Sequence, residues 1–258
     1  MTLELTFLGT GTSQGIPMIG CDCPVCRSDD PRDRRTRTSA LVSWDDRNIL
    51  IDATPELRLQ CLHAEVRRVD ACLITHTHAD HIFGLDDLRR FNQIQGEAIP
   101  LYSLDRHRTT LEKVFGYARA DRAAGNLDLP RFVFNTLEPD RVFSLFDRDI
   151  ETLLLPHGDS RVLGFRFGPL AYCTDLSGMP DETVGRLQGL DHLVLGALRP
   201  KPHPKHLSLD QAVELAHRLN AKHTWFVHMG HQVSHRTVET QLPDNMHLAY
   251  DGLKLTVS

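Results

Sequence analysis

The chain has no apolar stretch near the ~20 residues that a membrane-crossing helix needs, so no helical membrane span is expected from its 258 residues. It has no long basic run, and its formal net charge is −5. That argues against a broad electrostatic grip on duplex nucleic acid, although a small phosphorylated substrate needs only a few local cations. The opening stretch, Met1 to Leu8, lacks a basic segment and alternates like a strand. It does not read as a signal peptide, and a soluble cytoplasmic protein is the expectation. Internal repeats and low-complexity segments are missing. The loop from Gly9 to Gly15 lacks the Gly-x-Gly-x-x-Gly spacing of a dinucleotide site, which leaves a tight turn or a close approach to a ligand or metal.

What is present is enough for a sizeable core: 41% of residues are hydrophobic and 24% charged. The length suffices for one large domain or two small ones, and a metal-binding loop is expected at about 20–27. Alternation and turn residues predict strands at 3–8, 40–44, 48–52, 71–75, 99–103, 131–134, 141–146, 150–155, 162–167, 170–173, 192–198 and 223–227, with a closing hairpin about Tyr250-Asp251-Gly252. Helices are predicted at 55–66, 84–95, 107–118, 181–188, 208–219 and 235–241; Ser208 and Gln211 form a capping-box pair for the fifth. Segments 27–37 and 119–130 read as solvated loops. Strands followed by strand–helix units, twice over, suit an α/β (α+β) fold of two sheets packed face to face with helices outside.

The densest chemistry is His76-Thr77-His78-Ala79-Asp80-His81, which follows the apolar run Ala71 to Thr75. Alternate side chains of an extended segment share a face, so His76 and His78 point together. The chain must then turn into the helical pattern that begins at Ile82, which sends Asp80 and His81 toward a neighbouring point. Two divalent cations side by side would suit such a set. Other ligand types also stand at strand exits. His157 ends one strand. Asp175 ends another, where it could bridge two cations or cap a helix. His228 ends a third. Asp52 also closes a strand and reads as a hydrogen-bonding brace for the metal loop. Cys21, Cys23 and Cys26 offer three soft ligands that need a fourth to close a tetrahedral zinc site, and spacing does not identify it. Cys61, Cys72 and Cys173 read as small buried groups. Arg199, Lys201 and Lys205 lie in a proline-punctuated basic loop that either recruits a phosphate or is merely solvated.

The His-x-His-x-Asp-His pattern at 76–81, together with His157, Asp175 and His228 in order, resembles the metallo-β-lactamase superfamily. The resemblance implies a four-layer αββα sandwich in a single domain over residues 1–258. It further implies that His76, His78 and His157 hold one metal, that Asp80, His81 and His228 hold a second, and that Asp175 bridges. Among its branches, the phosphoribosyl cyclic phosphodiesterases of the carbon–phosphorus lyase pathway look most similar. They share the Leu8-Gly9-Thr10-Gly11-Thr12-Ser13 opening, Gly15-Ile16-Pro17, the Cys-x-Cys-x-x-Cys loop, and Asp175 followed by x-x-Gly-x-Pro. This likeness implies His231 as the fourth ligand of a structural zinc and His206 as a catalytic residue, with manganese or zinc at the active pair. It also implies a homodimer. The expectation is hydrolysis of a small, cyclic ribose phosphodiester by an activated water, with Asp80 and His206 in the catalytic set and Ser177, Lys201 and Lys205 toward the substrate. Ribonuclease Z, which acts on transfer RNA precursors, and the pyrroloquinoline quinone biosynthesis branch, as a binding or carrier protein, are the alternatives.

Overall fold

The computed structural model describes residues 2–123 and 128–257. Part of the loop expected at 119–130 therefore lies outside the described residues. The strands in chain order are β1 (Leu3–Gly9), β2 (Ser39–Trp44), β3 (Arg47–Ile51), β4 (Ala71–Leu73), β5 (Ile99–Leu104), β6 (Phe132–Leu137), β7 (Val142–Leu145), β8 (Arg148–His157), β9 (Ser160–Phe167), β10 (Leu170–Cys173), β11 (His192–Gly196), β12 (His223–Val227), β13 (Met246–Leu248) and β14 (Lys254–Val257). The helices are α1 (Leu57–His63), α2 (Ala79–Ile82), α3 (Arg89–Gln95), α4 (Asp105–Val114), α5 (Asp181–Arg186), α6 (Leu209–Leu219) and α7 (His235–Glu239).

The strands form two seven-stranded sheets, ordered β14-β1-β2-β3-β4-β5-β6 and β13-β12-β11-β10-β9-β8-β7. Within each, one half pairs antiparallel and the other parallel. Parallel pairing brings successive strand ends to the same rim, which is why the fold can gather ligands that are far apart in sequence.

Alternation along the strands supplies apolar side chains to both faces of each sheet. Leu5, Phe7, Val42, Ile49 and Ile51 meet Phe165, Phe167, Tyr172 and Val194 between the sheets. The outer face of the first sheet packs on α1, α3 and α4 through Leu57, Phe91 and Leu111, and that of the second on α5, α6 and α7 through Val184, Leu215 and Val238. Each such side chain, fully buried, contributes about 1.5–3 kcal/mol. This is the four-layer αββα arrangement expected from the sequence. Ser208 caps α6 as predicted: its hydroxyl accepts from Gln211 N, and Gln211 Oε1 accepts from Ser208 N.

Three expectations fail. The closing hairpin does not form, because β13 joins the second sheet beside β12 and β14 joins the first beside β1. The turn between them crosses from sheet to sheet. Asp251 anchors it, with a carboxylate that accepts four hydrogen bonds from the backbone and hydroxyls of Thr10 and Thr36. The helix expected at 84–95 is broken into a 3-10 turn over Leu85–Leu88 and then α3. Gly84 lies so close to the preceding loop that a Cβ there would sit 1.9 Å from the Thr54 carbonyl oxygen. Finally, segment 27–37 is not simply solvated. Arg35 is 1% exposed and pairs with the buried Asp33 at 2.9 Å, while its other amino group donates to the Val233 carbonyl.

Candidate metal centre

Five strands end at one rim, and each delivers a polar group there. The loop after β4 carries His76 and His78 and runs into α2 with Asp80 and His81. His157 is the last residue of β8. Asp52, Asp175 and His228 lie one or two residues past β3, β10 and β12. These last three adopt left-handed backbone conformations, with φ of 61°, 57° and 60°. Positive φ is uncommon outside glycine and best tolerated by short polar residues. Here it turns each chain sharply at the strand exit, and the same conformation recurs in both sheets.

Asp175 sits at the middle. Its Oδ2 lies 3.2 Å from His228 Nε2, 3.5 Å from His81 Nε2, 4.0 Å from His76 Nε2 and 3.8 Å from His206 Nδ1. Asp80 Oδ2 is 3.3 Å from His81 Nε2 and 4.0 Å from His228 Nε2. The ligand atoms of His76, His78 and His157 lie within 4.8 Å of one another, as do those of Asp80, His81 and His228. The same holds for His157, Asp175 and His206.

The imidazoles are oriented from behind. His81 Nδ1 meets Asp52 Oδ2 at 2.7 Å, and His157 Nδ1 donates to the Lys205 carbonyl at 3.0 Å. His76 Nδ1 meets the Thr75 hydroxyl at 3.0 Å. Asp52 is itself held by the backbone N–H and hydroxyl of Thr75. The Nε2 atoms of His81, His157 and His228 are buried with no hydrogen-bond partner. Buried nitrogens left unpaired are costly, and a cation would satisfy them. The residues therefore fit a pair of divalent cations by donor type, by orientation and by these orphaned atoms.

The electrostatics agree with that fit. Burial alone would push the Asp175 carboxyl up, but the His228, His81 and His76 imidazoles together hold it well below the usual carboxylate range. Burial presses the His81 imidazole down, yet Asp175 and Asp52 outweigh it and raise His81 well above its ordinary value. The aspartates thus favour positive charge at His81, whereas burial lowers the His76, His78 and His157 imidazoles. His206, half-enclosed, is driven down to about 3 by burial and then by His228, so its neutral ring is favoured.

A second cluster gathers Cys21, Cys23, Cys26 and His231. His231 Nδ1 lies 3.2 Å from Cys21 Sγ and 3.4 Å from Cys23 Sγ. The N–H of Cys26 leads the influences that draw the Cys23 thiol down to about 6, whereas burial pushes Cys26 up to about 11. Three sulfurs and one imidazole fit a tetrahedral zinc by donor chemistry. The glycine loop at 9–15 turns out to approach the chain itself. A Cβ at Gly9 would sit 2.0 Å from the Arg37 carbonyl oxygen, and Thr10 and Thr12 bond the backbone of Met229, next to His228.

The residues expected to face the substrate are less uniform. The stem of exposed Lys205 lies over Gly158, where a Cβ would meet its Cγ at 2.9 Å. The Ser177 hydroxyl accepts from Gly158 N at 3.1 Å and so braces the turn after His157. Lys201 is exposed, and Arg199 is spent on the Lys201 and Pro202 carbonyls, shaping the loop. Sequence reading passed over Thr75. A hydroxyl just ahead of the His-rich motif was the only available signal.

This sandwich, with His and Asp donors converging at one rim, is the architecture of the metallo-β-lactamase superfamily, whose members are metal-dependent hydrolases. The chain belongs to that superfamily: residues 47–229 match the family described as the beta-lactamase superfamily domain. A crystal structure of a diphosphatase from the PhnP family is similar at 43% identity and a TM-score of 0.92, over 99% of this chain and 97% of that one. Zinc-bound PqqB from Methylobacterium extorquens shares the fold at a TM-score of 0.77 and 19% identity, over 98% and 99% of the two chains. An octanoyltransferase of Porphyromonas gingivalis is 36% identical over 260 residues, which is 99% of this chain and 52% of that protein. The chain thus spans about half the length of that curated relative. Among the described residues no helix is long and apolar enough to cross a membrane.

Proposed function

We propose that the chain is a metal-dependent phosphodiesterase acting on a small phosphorylated substrate, a cyclic ribose phosphodiester being the best candidate. The observation that carries this reading is the placement of Asp175 Oδ2 within 4.0 Å of His76, His81, His206 and His228. His76, His78 and His157 would hold one divalent cation, Asp80, His81 and His228 the other, and Asp175 would bridge them; manganese or zinc suits these donors. Such a pair, when bound, supplies Lewis acidity toward phosphoryl oxygens and an activated water.

The chain's own residues do the rest. Asp52 and the Lys205 carbonyl hold His81 and His157 in one orientation, so the site is formed before substrate arrives. Buried Asp175 and half-buried Asp80 stay ionised. His206, stacked on His228 with ring centroids 4.7 Å apart, offers a neutral imidazole N–H to the leaving oxygen or to charge developing on the phosphoryl group. The exposed Lys205, whose stem packs over Gly158 beside His157, would attract a second anionic group on the substrate, as would the exposed Lys201. Cys21, Cys23, Cys26 and His231 would hold a structural zinc that pins the loop after His228. A cytoplasmic homodimer is part of this reading. Similarity to the PhnP-family diphosphatase supports phosphorus chemistry.

The test is hydrolysis of bis-p-nitrophenyl phosphate by manganese- or zinc-loaded protein, followed by a comparison of cyclic ribose phosphates with precursor transfer RNA. Turnover of the aryl diester and of the cyclic phosphates is expected. No phosphodiester cleavage with any divalent metal would overturn the reading and leave a binding protein.

A further inference from the structure

His107, near the start of α4, lies outside the donor set, yet it is 7% exposed and both of its ring nitrogens are engaged. Nδ1 is 3.2 Å from the hydroxyl of Thr77, which stands between His76 and His78. Nε2 is 3.4 Å from the carbonyl oxygen of Arg161, at the start of β9. A carbonyl can only accept, so Nε2 carries the proton and Nδ1 accepts from Thr77, which sets the tautomer. Arg161 pairs with Pro156 in the β8–β9 hairpin, and the next pair is His157 with Ser160. One ring thus joins the loop bearing two ligands of the first cation position to the hairpin bearing the third.

A second tie runs between the same two segments, two residues deeper on each. The N–H of Leu163 donates to the Thr75 carbonyl at 3.0 Å. The backbone rung fixes the base of the gap between the sheets, and the His107 rung fixes the rim. Arg106 donates to the same Arg161 carbonyl and holds it in place. Across the gap, the ring of His157 stands 5.3 Å from that of His76 and 5.2 Å from that of His78. Neither rung reaches Asp80 or His228.

We infer that His107 is a positioning residue: it sets the spacing between the two halves of the His76–His78–His157 triad, and with it the affinity of that cation position but not of the one formed by Asp80, His81 and His228. The inference rests on the ligand assignment proposed above. Outer residues that orient ligands typically change metal affinity about 10–100-fold.

The test is a chelator-competition titration with Co2+, read by absorption, in which sulfur-to-cobalt charge transfer separates the thiolate site from the other two. His107→Phe keeps the ring volume and removes both bonds; Thr77→Val removes one and disturbs packing least. Either variant should weaken one of the two nitrogen- and oxygen-ligated sites about tenfold or more. The other two sites and the melting temperature of the metal-free protein should not move, and His107→Gln, which keeps a donor and an acceptor, should restore part of the loss. Equal weakening of both sites, or no change in either variant, would overturn the inference. His157→Ala is run alongside. If it removes neither site, the ligand assignment has failed rather than the role of His107.

Discussion

His81 Nδ1 and Asp52 Oδ2 stand 2.7 Å apart, with His81 1% exposed and Asp52 0% exposed. The two residues come from different loops of the first sheet, and Asp52 reaches the pair only because its backbone turns left-handed after β3. A carboxylate behind an imidazole fixes the ring and strengthens its facing nitrogen as a donor. Asp52→Ala should lower metal affinity about 10–100-fold, and Asp52→Asn less, since an amide oxygen still accepts. Equilibrium dialysis against zinc or manganese checks this.

Asp175 and His206 share the centre but should fail differently. Asp175→Ala removes the group that touches four imidazoles, so bound metal per chain should fall. His206→Ala should keep its metals and lose turnover, by about 10²–10³-fold if the N–H of the neutral ring stabilises charge at the leaving oxygen. Metal analysis beside rate measurement separates the two outcomes.

Arg35 is the test of the buried link under the 27–37 loop. Its guanidinium bonds Asp33, the Arg32 carbonyl and the Val233 carbonyl. Removing one partner strands the other charge in the interior, so Arg35→Ala should cost about 3–5 kcal/mol in urea unfolding. Arg35→Lys should recover little, because an ammonium lacks the planar fork.

His235 should make stability depend on pH. Burial, then Arg32, push its imidazole from 6.5 down to about 4. Between those values the unfolded chain binds a proton that the folded chain refuses. Stability is therefore fully present above 6.5 and is lost as pH falls toward about 4. The expected loss from His235 is on the order of 1 kcal/mol, and His235→Phe should lessen the slope over that window without removing it, because burial lowers the His107 and His206 imidazoles as well. Urea midpoints of both proteins at a series of pH values provide the measurement.

Cys23 tests the sulfur cluster. Cys23→Ala should lower zinc content by about one ion per chain and reduce thermal stability, because folding and binding are coupled at such sites. His231, the non-sulfur member, lies three residues from His228, so the active pair should bind less tightly as well. Unchanged zinc and unchanged melting would dismiss a structural zinc there.

Much of the rim was legible beforehand because candidate ligands are rare residue types placed at the ends of apolar runs. His157, Asp175 and His228 all follow that rule, and the structure brings them together with the 76–81 motif. The helix cap at Ser208 was equally plain, since capping is a contact between residues three apart. Contacts made across the fold were not. Thr75 and His107 look like ordinary polar residues in sequence, and Arg35 is one of several arginines in a basic segment. What commits them is a partner in the structure: Asp52 for Thr75, Arg161 for His107, Val233 for Arg35.

Residue order alone was enough for the layer count, the donor types and the strand exits that carry them, because periodicity and composition are local properties. It could not say that β13 and β14 part company into different sheets, since an alternating strand carries the same pattern whichever neighbour it pairs with. Nor could it set the 3.2–4.0 Å spacings around Asp175. Those depend on how two separately built sheets close on one core, and on backbone turns that the surrounding structure holds in place.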